Sequence, residues 1–319
     1  MSARTLPRTT PPDFLAVADL DEAQFAAALD LAEEMKHTPA GWLDTLRSET
    51  LACFFEKPST RTRVSFAAAA HRLGMLPLVL RPDELQLGRG ETVADTARTL
   101  AGFCAGIVIR TFAQATVAEL AQHSSVPVIN ALTDDHHPCQ ALADFLTLRE
   151  VFGRLDGLRL AYIGDSDNVA RSLIEAGALS GVEVVVASPP AYQAEAAERR
   201  EVLDFVARHH GHAGIVEDPR EAVAGAHAVY TDVWVSMGAE GDAEQRRREL
   251  APYQVTTALM AAAAADAVFM HCLPAHRGEE VTTEVIDGPA SVVWRQAANR
   301  LPTEQAIVYA LITGGWGRS

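Results

Sequence analysis

The sequence predicts an α/β fold of two doubly wound parallel-sheet domains of similar size, facing each other across an interdomain cleft. Three observations carry this. Apolar runs of four to six residues recur along the chain. Amphipathic or alanine-rich stretches of helical length separate most of them, which is the signature of βαβ units. The length of 319 residues suits about two domains.

Taken in order, Asp21–Lys36 reads as a helix, Leu51–Phe55 as the first strand and Thr60–Leu73 as the helix that follows it. Strand Leu76–Leu80, helix Thr92–Phe103 and strands Ala105–Ile109 and Val126–Ile129 come next, then helix Cys139–Phe152. The turn-rich Phe152-Gly-Arg-Leu-Asp-Gly157 gives the domain break, with domains of 1–150 and 151 onward. Beyond it lie strands Leu158–Ile163, Val182–Ala187, Ala226–Tyr230, Ala267–Met270 and Ser291–Trp294. Helices Asn168–Ser180, Ala191–His210 and Thr303–Thr313 accompany them, and Ala261–Ala265 reads as a helix end. The strands are continuously apolar because a parallel sheet is covered on both faces. Ligands of such sheets sit beyond the carboxyl ends of the strands, and a cleft between two of them is a common small-molecule site.

Charge narrows the function classes. Lys and Arg number 27 against 42 Asp and Glu, a net charge of −15. Nucleic acid and anionic membrane both need a basic surface, so neither is an expected partner. A local arginine cluster still leaves room for a small anionic substrate. No apolar run reaches membrane-spanning length. Met1–Pro12 is polar with two arginines and no apolar signal core, and reads as a short leader. Cys53, Cys104, Cys139 and Cys272 are widely spaced, as expected of reduced thiols in the cytoplasm.

The most telling stretch is Phe55-Glu-Lys-Pro-Ser-Thr-Arg-Thr-Arg-Val-Ser-Phe66, a strand, a turn and a helix start. Free amides and the positive end of the helix dipole gather there and favour an anion. Ser59, Thr60 and Thr62 add donors, and Arg61 or Arg63 supplies a fork for phosphate. Other strand ends run into reactive residues. Ala105–Ile109 leads to Arg110, and Val126–Ile129 to His136-His-Pro-Cys-Gln140. Leu158–Ile163 leads to Gly164-Asp-Ser-Asp-Asn168, Ala226–Tyr230 to Asp232, and Ala267–Met270 to His271-Cys-Leu-Pro-Ala-His-Arg-Gly278. Together they define an active-site rim. His137 and Gln140 at a helix start suit a carbonyl oxygen, and Asp232 suits an ammonium group. Cys272, flanked by Leu273 and Pro274, reads either as a buried inert thiol or as a reactive one. The His and Cys clusters lack zinc spacing, so no metal is expected. The turn at Gly164 lacks Gly-x-Gly-x-x-Gly, which argues against a dinucleotide cofactor.

These motifs resemble the aspartate/ornithine carbamoyltransferases. Ser59-Thr-Arg-Thr-Arg63 and His137-Pro-x-Gln140 are similar to both branches of that family. Asp232-Val-Trp-Val-Ser-Met-Gly238, the segment His271–Gly278 and Gln86-Leu-Gly-Arg-Gly-Glu91 resemble the ornithine branch. The resemblance implies a carbamoyl-phosphate-binding domain over 1–150, completed by a C-terminal helix at about 299–317 that returns to it, and an ornithine-binding domain over 151–298. It implies transfer of a carbamoyl group from carbamoyl phosphate to ornithine without metal or organic cofactor. It places phosphate on Ser59, Thr60, Arg61, Thr62 and Arg300, and the carbonyl oxygen on Arg110 and His137, with Gln140 near the carbamoyl amide. Ornithine falls on Asn168, Asp232, Ser236, Met237, Cys272 and Leu273. Gln86 would reach a neighbouring subunit's site, because the family is built on a trimer.

The chain departs from the family pattern at three places. Asp167-Asn168 replaces two asparagines, so Asp167 either starts a helix or changes the amine accepted. Trp294-Arg-Gln-Ala-Ala-Asn-Arg300 loses acidic residues at Arg295, Gln296 and Ala298. Leu301-Pro-Thr-Glu304 replaces the usual His and Gln of that stretch. A paralogue with a modified acceptor, a ligand-binding protein without turnover and a dinucleotide oxidoreductase are the rival expectations.

Overall fold

The computed structural model describes residues 12–87, 90–236 and 240–317. Residues 1–11, most of the stretch expected to be a leader, lie outside them, as do Gly88, Arg89, Met237 and Gly238. The chain divides into two compact units, residues 1–142 with 300–319, and residues 143–299.

In the first unit, helix α1 (Glu22–His37) precedes strand β1 (Thr50–Phe55), helix α2 (Thr60–Arg72) and strand β2 (Leu76–Leu80). Helix α3 (Val93–Ala101), strand β3 (Gly106–Arg110), helix α4 (Gln114–His123) and strand β4 (Val128–Leu132) follow; helix α5 (Pro138–Phe152) starts in this unit, and its residues from 143 on belong to the second. The four strands pair in parallel in the order β2-β1-β3-β4. Asp21 caps α1: its carboxylate accepts from the Gln24 amide at 2.8 Å while Gln24 accepts from the Asp21 amide at 3.1 Å. β1 and β3 are apolar and buried, and their inner residues Ala52, Phe54, Ile107 and Ile109 pack with Ala97, Val117 and Leu120 of the flanking helices. The edge strand β2 departs from the two-sided burial expected, since Leu76 is 59% and Leu78 39% exposed.

In the second unit, strand β5 (Arg159–Ile163), helix α6 (Asn168–Ser180), strand β6 (Glu183–Ala187), helix α7 (Ala196–Arg208), strand β7 (Ala213–Val216) and helix α8 (Pro219–Val223) come first. Strand β8 (Ala228–Thr231), helices α9 (Ala243–Leu250) and α10 (Thr257–Met260), strand β9 (Val268–His271) and helix α11 (Thr283–Ile286) complete it. All five strands are parallel, in the order β7-β6-β5-β8-β9. The reversal of direction at β5 is the doubly wound pattern. Helix α12 (Val293–Thr313) is the last element.

Two expectations need correction. Ser291–Trp294 is not a strand: Ser291 makes a single bridge to Phe269, and Val293 already opens α12. Val293 is buried while Trp294 is 67% exposed, so this apolar run is one turn of an amphipathic helix. Helix α12 also begins ten residues earlier than Thr303 and carries Pro302 inside it. Strand β7, half-buried throughout at the sheet edge, is an element the apolar-run reading missed.

Register aligns the strand ends. Phe55 pairs with Arg110 in the first sheet. In the second, Ile163 pairs with Thr231 and Thr231 with His271. The loops starting at Gly164, Asp232 and Cys272 therefore leave the sheet side by side at its carboxyl edge.

Candidate active site

In the first unit, Ser59 caps α2, its hydroxyl accepting from the Thr62 amide at 3.2 Å. Thr60 is exposed, Arg61 half-buried, Thr62 buried and Arg63 exposed. Of the two arginines in the turn, Arg61 is the one whose charge bears on His137. The Thr62 hydroxyl receives Nη1 of Arg110 and Nη2 of Arg300, each at 3.3 Å. One guanidinium comes from the end of β3 and the other from the middle of α12. Arg300 also donates through Nη1 to Oε1 of Gln140 at 2.7 Å. Thr62, Arg110, His137, Gln140 and Arg300 are all buried.

The electrostatics follow from that crowding. Burial first, then the guanidiniums of Arg300, Arg110 and Arg61, hold the His137 imidazole well below its ordinary range. It is therefore neutral at pH 7, carries one N–H and adds no charge. Its carbonyl accepts from the amides of Gln140 at 3.1 Å and Ala141 at 3.2 Å, so His137 stands at the N-terminus of α5. A cluster of positive charge with hydroxyl, amide and imidazole groups suits a compact dianion bearing a carbonyl group.

Two residues of this region carried no signal in the motif reading. Lys57 is buried, pairs with Asp134 and sits 4.3 Å above the Phe112 ring. Glu304 is fully buried and accepts from Nε of Arg300 at 2.9 Å and from Nη2 at 2.6 Å. Its position four residues after Arg300 is the only sequence trace of the pairing. Gln86 is exposed on the chain between β2 and α3.

The second unit gathers another set. Asp232 Oδ1 accepts from the Val233 amide at 2.7 Å and from the Cys272 thiol at 2.8 Å. Burial, then the carboxylates of Asp232, Asp167 and Asp144, raise the Cys272 thiol well above its ordinary value. Cys272 is held as a thiol at pH 7 and donates to Asp232. Asp167 caps α6: its Oδ1 accepts from Val169 N at 2.9 Å, Ala170 N at 3.3 Å and Tyr162 Oη at 3.1 Å. Burial and the neighbouring Asp232 and Asp165 raise its carboxyl well above the usual carboxylate range. Asn168, the first residue of α6, and Ser236 are half-buried, and Met237 lies outside the described residues.

The segment that carries Cys272 is fixed from beneath. His271 Nδ1 accepts from the Leu273 amide at 2.8 Å, and its Nε2 faces Oε1 of Glu280 at 3.2 Å, both side chains being fully buried. The same Glu280 oxygen accepts from the His276 amide at 2.5 Å. Leu273 is held at φ +60°, a left-handed conformation that costs about 1–3 kcal/mol for a non-glycine residue and persists where the surroundings enforce it. Gln296 braces the other side: its Oε1 accepts from the His271 amide at 3.0 Å, and its Nε2 reaches Asp144 at 2.7 Å and Tyr230 Oη at 3.1 Å. Gln296, where the resemblance noted above implies an acidic residue, is thus a buried bridge, whereas Arg295 and Ala298 are exposed.

Asp232, His271 and Cys272 bring potential ligand atoms within 4.8 Å of one another. His271 already spends Nδ1 on Leu273 and Nε2 on Glu280, and Cys272 keeps its proton, so this set is engaged in its own hydrogen bonds. His276, Glu279 and Glu280 form a second such group, but Glu280 is committed to His271 and Glu279 pairs with Arg247 at 3.0 Å.

Comparison with known proteins agrees with this chemistry. Residues 12–150 match the aspartate/ornithine carbamoyltransferase carbamoyl-P binding domain, and residues 156–311 the Asp/Orn binding domain. The ornithine carbamoyltransferase of Symbiobacterium thermophilum is 51% identical over 93% of this chain and 96% of its own. That of Gloeobacter violaceus is 47% identical over 95% and 96%. Among solved structures, ornithine carbamoyltransferase from Pyrococcus furiosus superposes with a TM-score of 0.91 at 44% identity, covering 97% of this chain and 99% of that one. The enzyme from Thermus thermophilus gives 0.85 at 41% identity, covering 95% and 100%. The chain belongs to the aspartate/ornithine carbamoyltransferase family.

Proposed function

We propose that this protein transfers the carbamoyl group of carbamoyl phosphate to the δ-amine of L-ornithine, giving L-citrulline and phosphate. The observation that carries the reading is the convergence of Arg110 and Arg300 on the Thr62 hydroxyl, beside a neutral His137. That group has the charge and donor geometry for an acyl phosphate. The first unit takes the donor, and the second, with Asn168, Asp232, Ser236, Met237, Cys272 and Leu273, takes the amino acid.

The uncharged δ-nitrogen attacks the carbonyl carbon, and negative charge grows on the carbonyl oxygen. Arg110, the Thr62 hydroxyl and the His137 N–H stabilise that oxygen, and Gln140 holds the carbamoyl amide. As the tetrahedral centre collapses, the C–O bond to phosphate breaks, its electron pair leaves with the phosphate, and the surplus proton of the attacking nitrogen passes to the departing phosphate oxygen. Arg61, Arg300, Ser59 and the amides at the start of α2 receive the phosphate. Asp232 binds the amino-acid ammonium, and the Cys272 thiol holds Asp232 in place. No step calls for a metal ion or an organic cofactor.

Asp167 bears on the rival acceptor. Its Oδ1 is already shared by two amides and a tyrosine hydroxyl, which supports a capping role and ornithine itself as the acceptor. We further assign the chain to arginine biosynthesis in the cytoplasm, as a homotrimer or a multiple of trimers with Gln86 reaching a neighbouring subunit. Exposed Val64, Leu76 and Leu78 offer apolar surface for the subunit contact. Among the described residues no helix is long and apolar enough to cross a membrane.

The test is incubation with carbamoyl phosphate and a panel of amines, including ornithine, putrescine, aspartate and an acylated ornithine, with identification of the product. Citrulline is expected; a carbamoylated product from another amine alone would overturn the assignment of acceptor.

A further inference from the structure

The first unit holds a buried charge that the proposed chemistry leaves unused. Glu304 has no solvent exposure, and its carboxylate takes the Nε–Nη2 side of the Arg300 guanidinium. The adjoining edge, Nη1 with the shared Nη2, is thereby turned to Gln140 at 2.7 Å and Thr62 at 3.3 Å. A planar guanidinium anchored along one edge has one orientation, so Glu304 aims the edge that meets the ligand. The same contact has an electrical consequence. An ionised Glu304 cancels the charge of Arg300 just where a phosphoryl dianion must bind.

Four groups bear on Glu304. They are Arg300 from its own helix, the Ser65 hydroxyl from α2, the Cys53 thiol from β1 and the Cys139 thiol from α5. Arg300 is the sole cation among them, and both thiols are pushed up out of the neutral range by burial and by Glu304 itself. Burial outweighs Arg300 and Ser65, and lifts the Glu304 carboxyl to about 7. His137 is held well below its ordinary range. Among these groups only Glu304 changes charge near neutral pH.

We infer that Glu304 is a proton-linked positioning residue: it orients Arg300, and it takes up a proton when the phosphoryl end of the donor binds, restoring the full charge of Arg300 to the ligand. This rests on the proposed use of carbamoyl phosphate. The geometry supplies the reason for uptake, since a dianion arriving beside a buried carboxylate favours its neutral form. Affinity for the donor should then fall as pH rises past the point where free Glu304 ionises.

The experiment measures citrulline formation at saturating ornithine, varying carbamoyl phosphate from about pH 6 to about pH 8.5, where the donor stays a dianion. For the unaltered protein, KM for carbamoyl phosphate should rise roughly ten- to thirtyfold across that range. Glu304→Gln should flatten the rise, and Glu304→Asp should keep it. A flat KM in the unaltered protein overturns the inference without any variant, and so does an undiminished rise in Glu304→Gln. Failure to form citrulline at every pH would instead strike the proposed function, and with it the donor that Glu304 is argued to answer.

Discussion

The thiol of Cys272 lies 2.8 Å from Oδ1 of Asp232 and donates to it. A neutral thiol is a weak donor, and its value here is positional, since it keeps one carboxylate oxygen occupied and so orients the other. Cys272→Ala should raise KM for ornithine about tenfold while leaving KM for carbamoyl phosphate within about twofold. Alkylation by iodoacetamide at neutral pH should be slower than for an unperturbed cysteine, because burial and three carboxylates disfavour the thiolate. Rapid alkylation would contradict that picture.

Arg110 offers a cleaner test of the donor pocket. It stands at the end of a fully buried strand, and Arg300 keeps its own contact with the Thr62 hydroxyl when Arg110 is removed. Arg110→Ala should therefore fold, with an unchanged circular dichroism spectrum, and lose about 100- to 1000-fold in kcat. Near-normal turnover would remove Arg110 from the mechanism.

His137 is buried in its neutral form, and its folded value lies below the unfolded one near 6.5. Between those two values the unfolded chain binds more protons. The contribution of His137 to stability is thus complete above about pH 6.5 and is lost as pH falls below it, by at most about 1.4 kcal/mol per pH unit. Thermal melts between about pH 7.5 and pH 5 should show a shallower loss for His137→Gln than for the unaltered protein. Equal slopes would mean that the imidazole is protonated in the folded state.

The Glu280 carboxylate supports the Cys272 segment from inside the second unit. Glu280→Ala leaves the His271 Nε2 and the His276 amide without their partner, and should destabilise the protein by about 2–4 kcal/mol. Denaturant titration measures this. Because the Leu273 conformation depends on His271, KM for ornithine should rise as well, with KM for carbamoyl phosphate little changed. An unaffected ornithine KM would detach the pair from the site.

What the sequence determined by itself is the local chemistry. The apolar runs of β1, β3 and β5 are legible because strands covered on both faces need no polar alternation. The Ser59 cap and its donors are legible because a helix start collects anion-binding groups within a few residues. The short apolar run at Ser291–Trp294 is not, since burial on one side only makes it a helix turn and the sequence does not say which side is covered. Tertiary structure alone decided the pairings across long stretches of chain: Arg300 with Thr62, Gln296 with Tyr230 and Asp232 with Cys272. It also decided the charge states. A carboxyl or imidazole has an ordinary titration until packing removes its water and sets a named neighbour beside it. Glu304 and His137 acquire their protonation only once the fold has closed around them.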